Sequence, residues 1–220
     1  MRREISGLYA VTPDTDDTRR LLEKVEAVLD GGARLVQYRS KIAGPELRYV
    51  QARAVLALCR ARRVPLIIND HLDLALDADA DGLHVGKDDG SVREARKKLG
   101  PGKLLGASCY NRIDAALEAA EAGADHVAFG SFFPSGSKPD AVRAPLELLR
   151  EARRRLRVPV VAIGGITPDN AGELIAAGAD AVAVIAAIFE APDTGAAARR
   201  FHALFRQRAG GSGARERRAV

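Results

Sequence analysis

Eight short apolar runs, each followed by a longer amphipathic stretch, constrain this chain more than any other feature. The runs are ISGLYAV (5–11), RLVQY (34–38), PLIIN (65–69), GLHV (82–85), KLLGAS (103–108), HVAFG (126–130), PVVAIG (159–164) and AVAVI (181–185). Helical periodicity covers 15–30, 45–61, 71–77, 90–99, 112–122, 145–156, 168–177 and 195–207. Strands this apolar have no face to offer water, so they belong in a parallel sheet covered by helices. A weak repeat sharpens the reading: DGGARLVQ (30–37), ADADGLHVG (78–86), AGADHVAFG (122–130) and AGADAVAVI (177–185) each run a small-residue turn into a strand. The spacing is roughly two βα units, which marks alternate strands of one architecture. The expectation is an α/β protein with a single (β/α)8 TIM barrel over residues 1–208. A doubly wound sheet is the next arrangement in line. The Gly/Ser/Arg-rich stretch 209–220 reads as a disordered basic tail.

Composition then removes whole classes of function. The formal charge is +5 over 220 residues, which by itself would invite a nucleic-acid partner. Residues 206–220, however, hold five arginines against one glutamate, and the first 205 residues hold 29 bases against 28 acids. The excess is a tail property. Aromatic residues are 5% of the chain and Trp is absent, too few for a base-stacking platform. Cys59 and Cys109 cannot build a disulfide framework and suit a reducing cytoplasm. The start MRREISGLYA lacks the apolar stretch of a signal peptide, and no window is continuously apolar over a membrane's width. We therefore expect a cytoplasmic protein with small-molecule substrates, no nucleic acid and no membrane, its oligomeric state open.

In a barrel, chemistry collects where strands end. After the second run come Gln37, Arg39 and Lys41, with alternation turning Tyr38 to the other side. Two cations beside an amide suit a phosphorylated or pyrophosphorylated ligand. Asn69-Asp70 and Asp88-Asp89 follow the third and fourth runs, and carboxylates there suit Mg²⁺ shared with substrate phosphates. Asp70 and Asp89 could equally cap the helices that follow. Ser108 ends the fifth run, with Asn111 placed to cap the next helix and Cys109 read as packing. After the sixth run, Ser135, Ser137 and Lys138 can wrap terminal phosphate oxygens, although the order of a Walker loop is absent. Gly164-Gly165 and Ile185-Ala186 close the set, where backbone N–H groups can approach an anion. Thr167-Pro168 fits a cap and first helical residue. His84 and His126 lie within strands and read as core; no zinc-type cluster exists.

The segments VQYRSK, LIINDHLDLAL, DGLHVGKDD, GSFFPSGSKPDA and VPVVAIGGITPDNAGELIAAGADAVAV, taken in order, resemble the thiamine-phosphate synthase family from about residue 5 to 190. The resemblance implies a (β/α)8 barrel that joins hydroxymethylpyrimidine pyrophosphate to hydroxyethylthiazole phosphate with Mg²⁺, giving thiamine phosphate and pyrophosphate. It further implies roles for matching residues. Gln37, Arg39, Lys41, Asn69 and Ser108 would bind the pyrimidine pyrophosphate, Asp70 and Asp89 the metal, and Ser135, Ser137 and Lys138 the terminal phosphate oxygens. Gly165, Ile185 and Ala186 would hold the thiazole phosphate. Arg39, Lys41 and Lys138 would carry the catalysis. Tyr38, Ser40 and Ala186 depart from the family's more usual Leu, acidic residue and Ser. The change at Ser40 leaves Arg39 without its common local counter-charge. The same resemblance leaves two alternatives to weigh, a thiazole tautomerase of the same barrel superfamily and a non-catalytic thiazole-phosphate-binding barrel.

Overall fold

The computed structural model describes residues 5–87, 90–134 and 142–216. Every apolar run becomes a strand: β1 (Gly7–Val11), β2 (Leu35–Tyr38), β3 (Leu66–Asn69), β4 (Gly82–Val85), β5 (Leu104–Tyr110), β6 (His126–Phe129), β7 (Val160–Ile163) and β8 (Ala181–Val184). The helices between them are α1 (Thr18–Asp30), α2 (Pro45–Ala61), α3 (Leu72–Asp77), α4 (Val92–Leu99), α5 (Ile113–Glu121), α6 (Leu146–Arg155) and α7 (Ala171–Ala177). After β8 come a single-turn α8 (Ala186–Phe189) and a long α9 (Thr194–Glu216). Four residues are too few to show a helical period, so α8 was not legible in the sequence. All strand pairs are parallel and β8 closes onto β1. The chain is a (β/α)8 barrel, and the doubly wound sheet is set aside.

Strand alternation divides the buried side chains into two bodies. Outward positions such as Leu8, Val36, Tyr38, Ile68, Leu83, Val127 and Val182 pack beneath the helices. Inward positions fill the barrel itself, with Ile5, Tyr9, Leu35, Ile67, Val161, Ala181 and Ala183 in one cluster. The last helix seals the ring by burying Ala198 and Phe201 completely. Among the described residues, no helix is long and apolar enough to cross a membrane.

The internal repeat has a structural explanation. Asp81, Asp125 and Asp180 stand just before β4, β6 and β8. Each accepts, through its Oδ2, the N–H of a residue starting the preceding strand: Leu66 at 3.0 Å, Leu105 at 2.9 Å and Val160 at 2.9 Å. Those strand-start N–H groups would otherwise face the barrel floor unpaired. The repeat thus marks the end of the barrel opposite the mouth.

Two sequence expectations about caps need correction. The residue before α5 is Arg112, not Asn111, and it makes no side-chain capping bond. Similarly, α7 begins at Ala171 instead of Pro168, because the intervening residues are used in a loop described below. The backbone of 209–216 continues α9, where an open tail was expected. Gly210, Gly211 and Gly213 each lower helix propensity by about 1 kcal/mol, which is why the sequence reading ended the helix at 207. Residues 217–220 lie outside the described residues.

Asp180→Ala should lower stability by roughly 1–3 kcal/mol, the cost of leaving a half-buried strand-start N–H unpaired. Because Asp180 sits at the floor, steady-state kinetics should stay at the parental values. Urea-unfolding midpoints and kinetics on the same preparation check both halves.

Candidate active site

The mouth is built from the strand exits upward, and the exit of β2 sets its charge. Gln37 faces inward, where its Nε2 donates to the Tyr9 hydroxyl at 2.9 Å. Tyr38 faces outward and donates to Gln51 Oε1 on α2 at 2.7 Å, so its hydroxyl is absorbed by the helix layer. Burial pushes the Tyr38 phenol up to about 12. Arg39 returns to the mouth, its backbone clamped by fully buried Thr12. Its N–H donates to Thr12 Oγ1 at 2.9 Å, and that hydroxyl donates to the Arg39 carbonyl at 3.1 Å.

Asp14 supplies the counter-charge that Ser40 does not. The Arg39 guanidinium donates to Asp14 Oδ2 at 2.9 Å, and Asp14 Oδ1 accepts the Lys41 backbone N–H. Ser40 instead accepts the Ala43 N–H at 3.2 Å. Neither Thr12 nor Asp14 figures among the sequence candidates, which begin at the end of β2. The same strand-end rule applied to β1 reaches Thr12-Pro13-Asp14 directly.

The β3 exit meets the β2 exit through charge. Lys41 Nζ donates to Asp70 Oδ2 at 2.5 Å. Asp70 adopts φ 63°, a left-handed conformation that Asp tolerates better than most residues, and its N–H donates to the His84 carbonyl at 2.9 Å. The residue before α3 is His71, so Asp70 is not that helix's cap. Asn69 ends β3 beside it, in register with His84. Asp89, Ser135, Ser137 and Lys138 lie outside the described residues. Among the described residues no cluster of three or more His, Cys, Asp or Glu could hold a metal. A hard carboxylate at the mouth nevertheless fits Mg²⁺, which takes one or two carboxylates and completes its shell with water and phosphate.

Below Ser108 the interior becomes polar and buried. Ser108 Oγ lies 2.9 Å from His84 Nε2. The His84 and His126 rings are 5.6 Å apart, and Tyr9 meets His126 edge-on at 6.0 Å. Burial depresses His84 to about 4, although Asp70 pulls the other way, and burial with the neighbouring His84 depresses His126 to about 3. Both imidazoles are neutral at physiological pH. Cys109 points away from the mouth; burial pushes its thiol up to about 12, which makes it packing and not a nucleophile.

The exits of β6, β7 and β8 meet backbone to backbone. Gly165 has φ 62°, and a Cβ there would lie 2.3 Å from the Pro134 carbonyl oxygen. Only glycine allows that approach. Asn170 holds the loop, donating to the Gly165 carbonyl at 3.1 Å and accepting the Thr167 N–H at 2.8 Å. Ile185 precedes α8, and Ala186 opens it, so the first-turn N–H groups have no acceptor within the helix. The structure thus gathers Gln37, Arg39, Lys41, Asn69, Asp70 and Ser108 at or just below the exits of β2, β3 and β5, with Gly165, Ile185 and Ala186 at the exits of β7 and β8.

Comparison with known proteins gives a consistent result. The family model described as thiamine monophosphate synthase matches residues 8–188. The thiamine-phosphate synthase of Nitrosospira multiformis is 55% identical over 206 residues, covering 94% of this chain and 88% of its own. That of Methylobacillus flagellatus is 56% identical over 201 residues, covering 91% and 96%. Among solved structures, the thiamine phosphate pyrophosphorylase of Pyrococcus furiosus superposes with a TM-score of 0.83 at 36% identity, covering 93% of this chain and 98% of its own.

The buried His126 makes stability depend on pH. Its folded value of about 3 lies below the ordinary 6.5, so the unfolded chain takes up a proton that the folded chain refuses. Stability should therefore fall as pH drops from about 6.5 toward 3, with no contribution from this residue above that window. His126→Leu should flatten the acid side of a urea-midpoint series. An unchanged slope would mean that His126 does not enter the acid limb.

Proposed function

The chain belongs to the thiamine monophosphate synthase family, and from that premise we propose how its mouth performs the family's reaction. It is a transferase that condenses hydroxymethylpyrimidine pyrophosphate with hydroxyethylthiazole phosphate, forming thiamine phosphate and releasing pyrophosphate. The observation that carries the residue assignment is the pair of ion pairs at the mouth, Arg39 with Asp14 and Lys41 with Asp70. Both cations are held in place by carboxylates before any anion arrives, which is the preorganisation that stabilises charge developing on a leaving group.

A pyrophosphate entering this mouth takes Arg39, Lys41 and Asn69 as partners; Ser135, Ser137 and Lys138, outside the described residues, are assigned to its terminal oxygens from the family resemblance alone. When Lys41 turns to the substrate, its ion pair with the Asp70 carboxylate gives way. Asp70 and Asp89 would hold Mg²⁺, which when bound neutralises pyrophosphate charge. Gln37 and Ser108 face the pyrimidine. Backbone groups at Gly165, Ile185 and Ala186 take the thiazole phosphate, so Ala186 needs no hydroxyl for this role.

The bond from the pyrimidine methylene carbon to the pyrophosphate oxygen breaks, and its electron pair leaves with pyrophosphate. The thiazole nitrogen then donates its lone pair to the benzylic-type cation to form the new C–N bond. No group on the protein gains or loses a proton and no covalent enzyme intermediate forms, which agrees with a buried Cys109 and neutral buried histidines. Holding the two substrates in line supplies the remaining acceleration. A thiazole tautomerase would have no use for the paired cations. The same reading keeps 1–208 as the catalytic domain, treats 209–220 as an appendage, and puts the enzyme in the cytoplasm, where buried Cys59 and Cys109 stay reduced.

Both substrates with Mg²⁺ should yield thiamine phosphate and pyrophosphate in equal amounts. Asp70→Ala should fold normally and lose at least tenfold in turnover at limiting Mg²⁺, an amount typical of removing a charged partner. Absence of product from folded wild-type protein would defeat the assignment. Removing 209–220 should leave turnover unchanged, and a large loss would give the tail a role at the mouth.

A further inference from the structure

The inner wall beneath the mouth contains a histidine whose hydrogen bonding is lopsided. His84 is 6% exposed and sits on β4 in register with Gly106 on β5. Its Nε2 lies 2.9 Å from Ser108 Oγ. Its Nδ1 has no hydrogen-bond partner among the described residues, and neither ring nitrogen of fully buried His126 has one.

Gly106 makes this layer possible. A Cβ at Gly106 would stand 2.4 Å from His84 Nδ1 and 2.3 Å from His126 Nε2. The glycine leaves a gap, and the two imidazoles occupy it as ring contacts. The Tyr9 and His126 rings meet in a T-shaped contact, and the Tyr9 hydroxyl in turn accepts from Gln37 Nε2. His84 is thus fixed in orientation by packing, while the one hydrogen bond its ring makes among the described residues goes to a half-buried hydroxyl at the mouth.

Such an arrangement is poor design for stability. Buried polar atoms without partners cost free energy, and an apolar side chain of similar volume would avoid the cost. Ser108, at the rim, could find a partner in solvent. The His84–Ser108 contact therefore contributes little that the fold requires, and its consequence falls on the direction of the serine proton. A buried N–H without an acceptor is rarer than a buried lone pair without a donor, which favours the tautomer with the proton on Nε2. In that state Ser108 Oγ accepts from His84, and its own proton is left to point into the mouth.

We propose that His84 is a positioning residue that, by donating through Nε2, commits the Ser108 hydroxyl to donate to an acceptor on the pyrimidine pyrophosphate substrate. This rests on the reading of Ser108 as substrate-facing. Gly106 and His126 form the bed that holds the imidazole at that angle. The residue acts through Ser108 and does not itself touch the substrate.

A double-mutant cycle on the full-length protein tests the route. Ser108→Ala should lower kcat/KM for the pyrimidine pyrophosphate roughly tenfold, the worth of one well-made hydrogen bond. His84→Leu should lower it by a similar factor, with KM for the thiazole phosphate unchanged and the thermal midpoint equal or higher. The double variant should be no slower than Ser108→Ala alone. His84→Gln, whose amide can place an N–H near the same point, should recover most of the activity and covers the case in which the leucine variant folds poorly. Nitrogen-15 shifts of His84 should assign the proton to Nε2. Additive losses in the double variant, unaltered kcat/KM in His84→Leu, or a proton on Nδ1 would each overturn the proposal. If Ser108→Ala alone has no effect, the substrate-facing reading of Ser108 falls as well, and that outcome is separately visible.

Discussion

An eight-stranded parallel barrel has an interior just wide enough for side chains, and that limit governs the rest of this structure. Each inward position must be filled without overlap, and each strand start must find a partner for its N–H. The floor meets the second demand with Asp81, Asp125 and Asp180, each reaching the neighbouring strand. The lower interior meets the first with Ile5, Leu35, Ile67 and Val161. Higher up the filling turns polar, and Gly106 is the residue that makes room for the two imidazoles. Glycine at that point is a packing requirement before it is anything else.

At the mouth the governing physics changes from volume to charge. Arg39, Lys41, Asp14 and Asp70 come from three different strand exits, yet they are mutually compensated. Such a site pays little desolvation cost in the absence of substrate, because each group retains a partner and some water. Displacing Asp14 or Asp70 with a polyanion keeps the cations neutralised throughout. The charges are therefore exchangeable in pairs, a more useful property than a bare positive patch, and one that the chain's formal +5 does not reveal.

The barrel was legible because apolar runs and helical periods alternate eight times, and each strand falls within a few residues of its run. Gln37, Arg39, Lys41, Asn69, Asp70 and Ser108 were legible because residues at strand ends face a common mouth. Asp14 was not found, although the rule that finds it is the same one; Asp14, Asp16 and Asp17 together read as the acidic start of a helix. The Thr167-Pro168 pair illustrates the opposite failure. Local sequence favoured a cap there, but Asn170 folds back to hold Gly165 and delays the helix. Tertiary contacts outrank a capping preference worth about 1 kcal/mol.

His84 and His126 show where sequence reasoning stops for a physical reason. A histidine in an apolar strand reads as core, and both are indeed core by burial. What the pattern cannot reveal is hydrogen bonding between strands, which depends on register. The register places Gly106 between the two rings and Ser108 one pleat above. A shift of β5 that put Leu104 opposite His84 would keep every apolar residue facing as it does now and would still carry Ser108 away from His84. The chemistry of this layer is thus carried by strand register, and register is fixed by closing the barrel, through contacts far apart in the sequence.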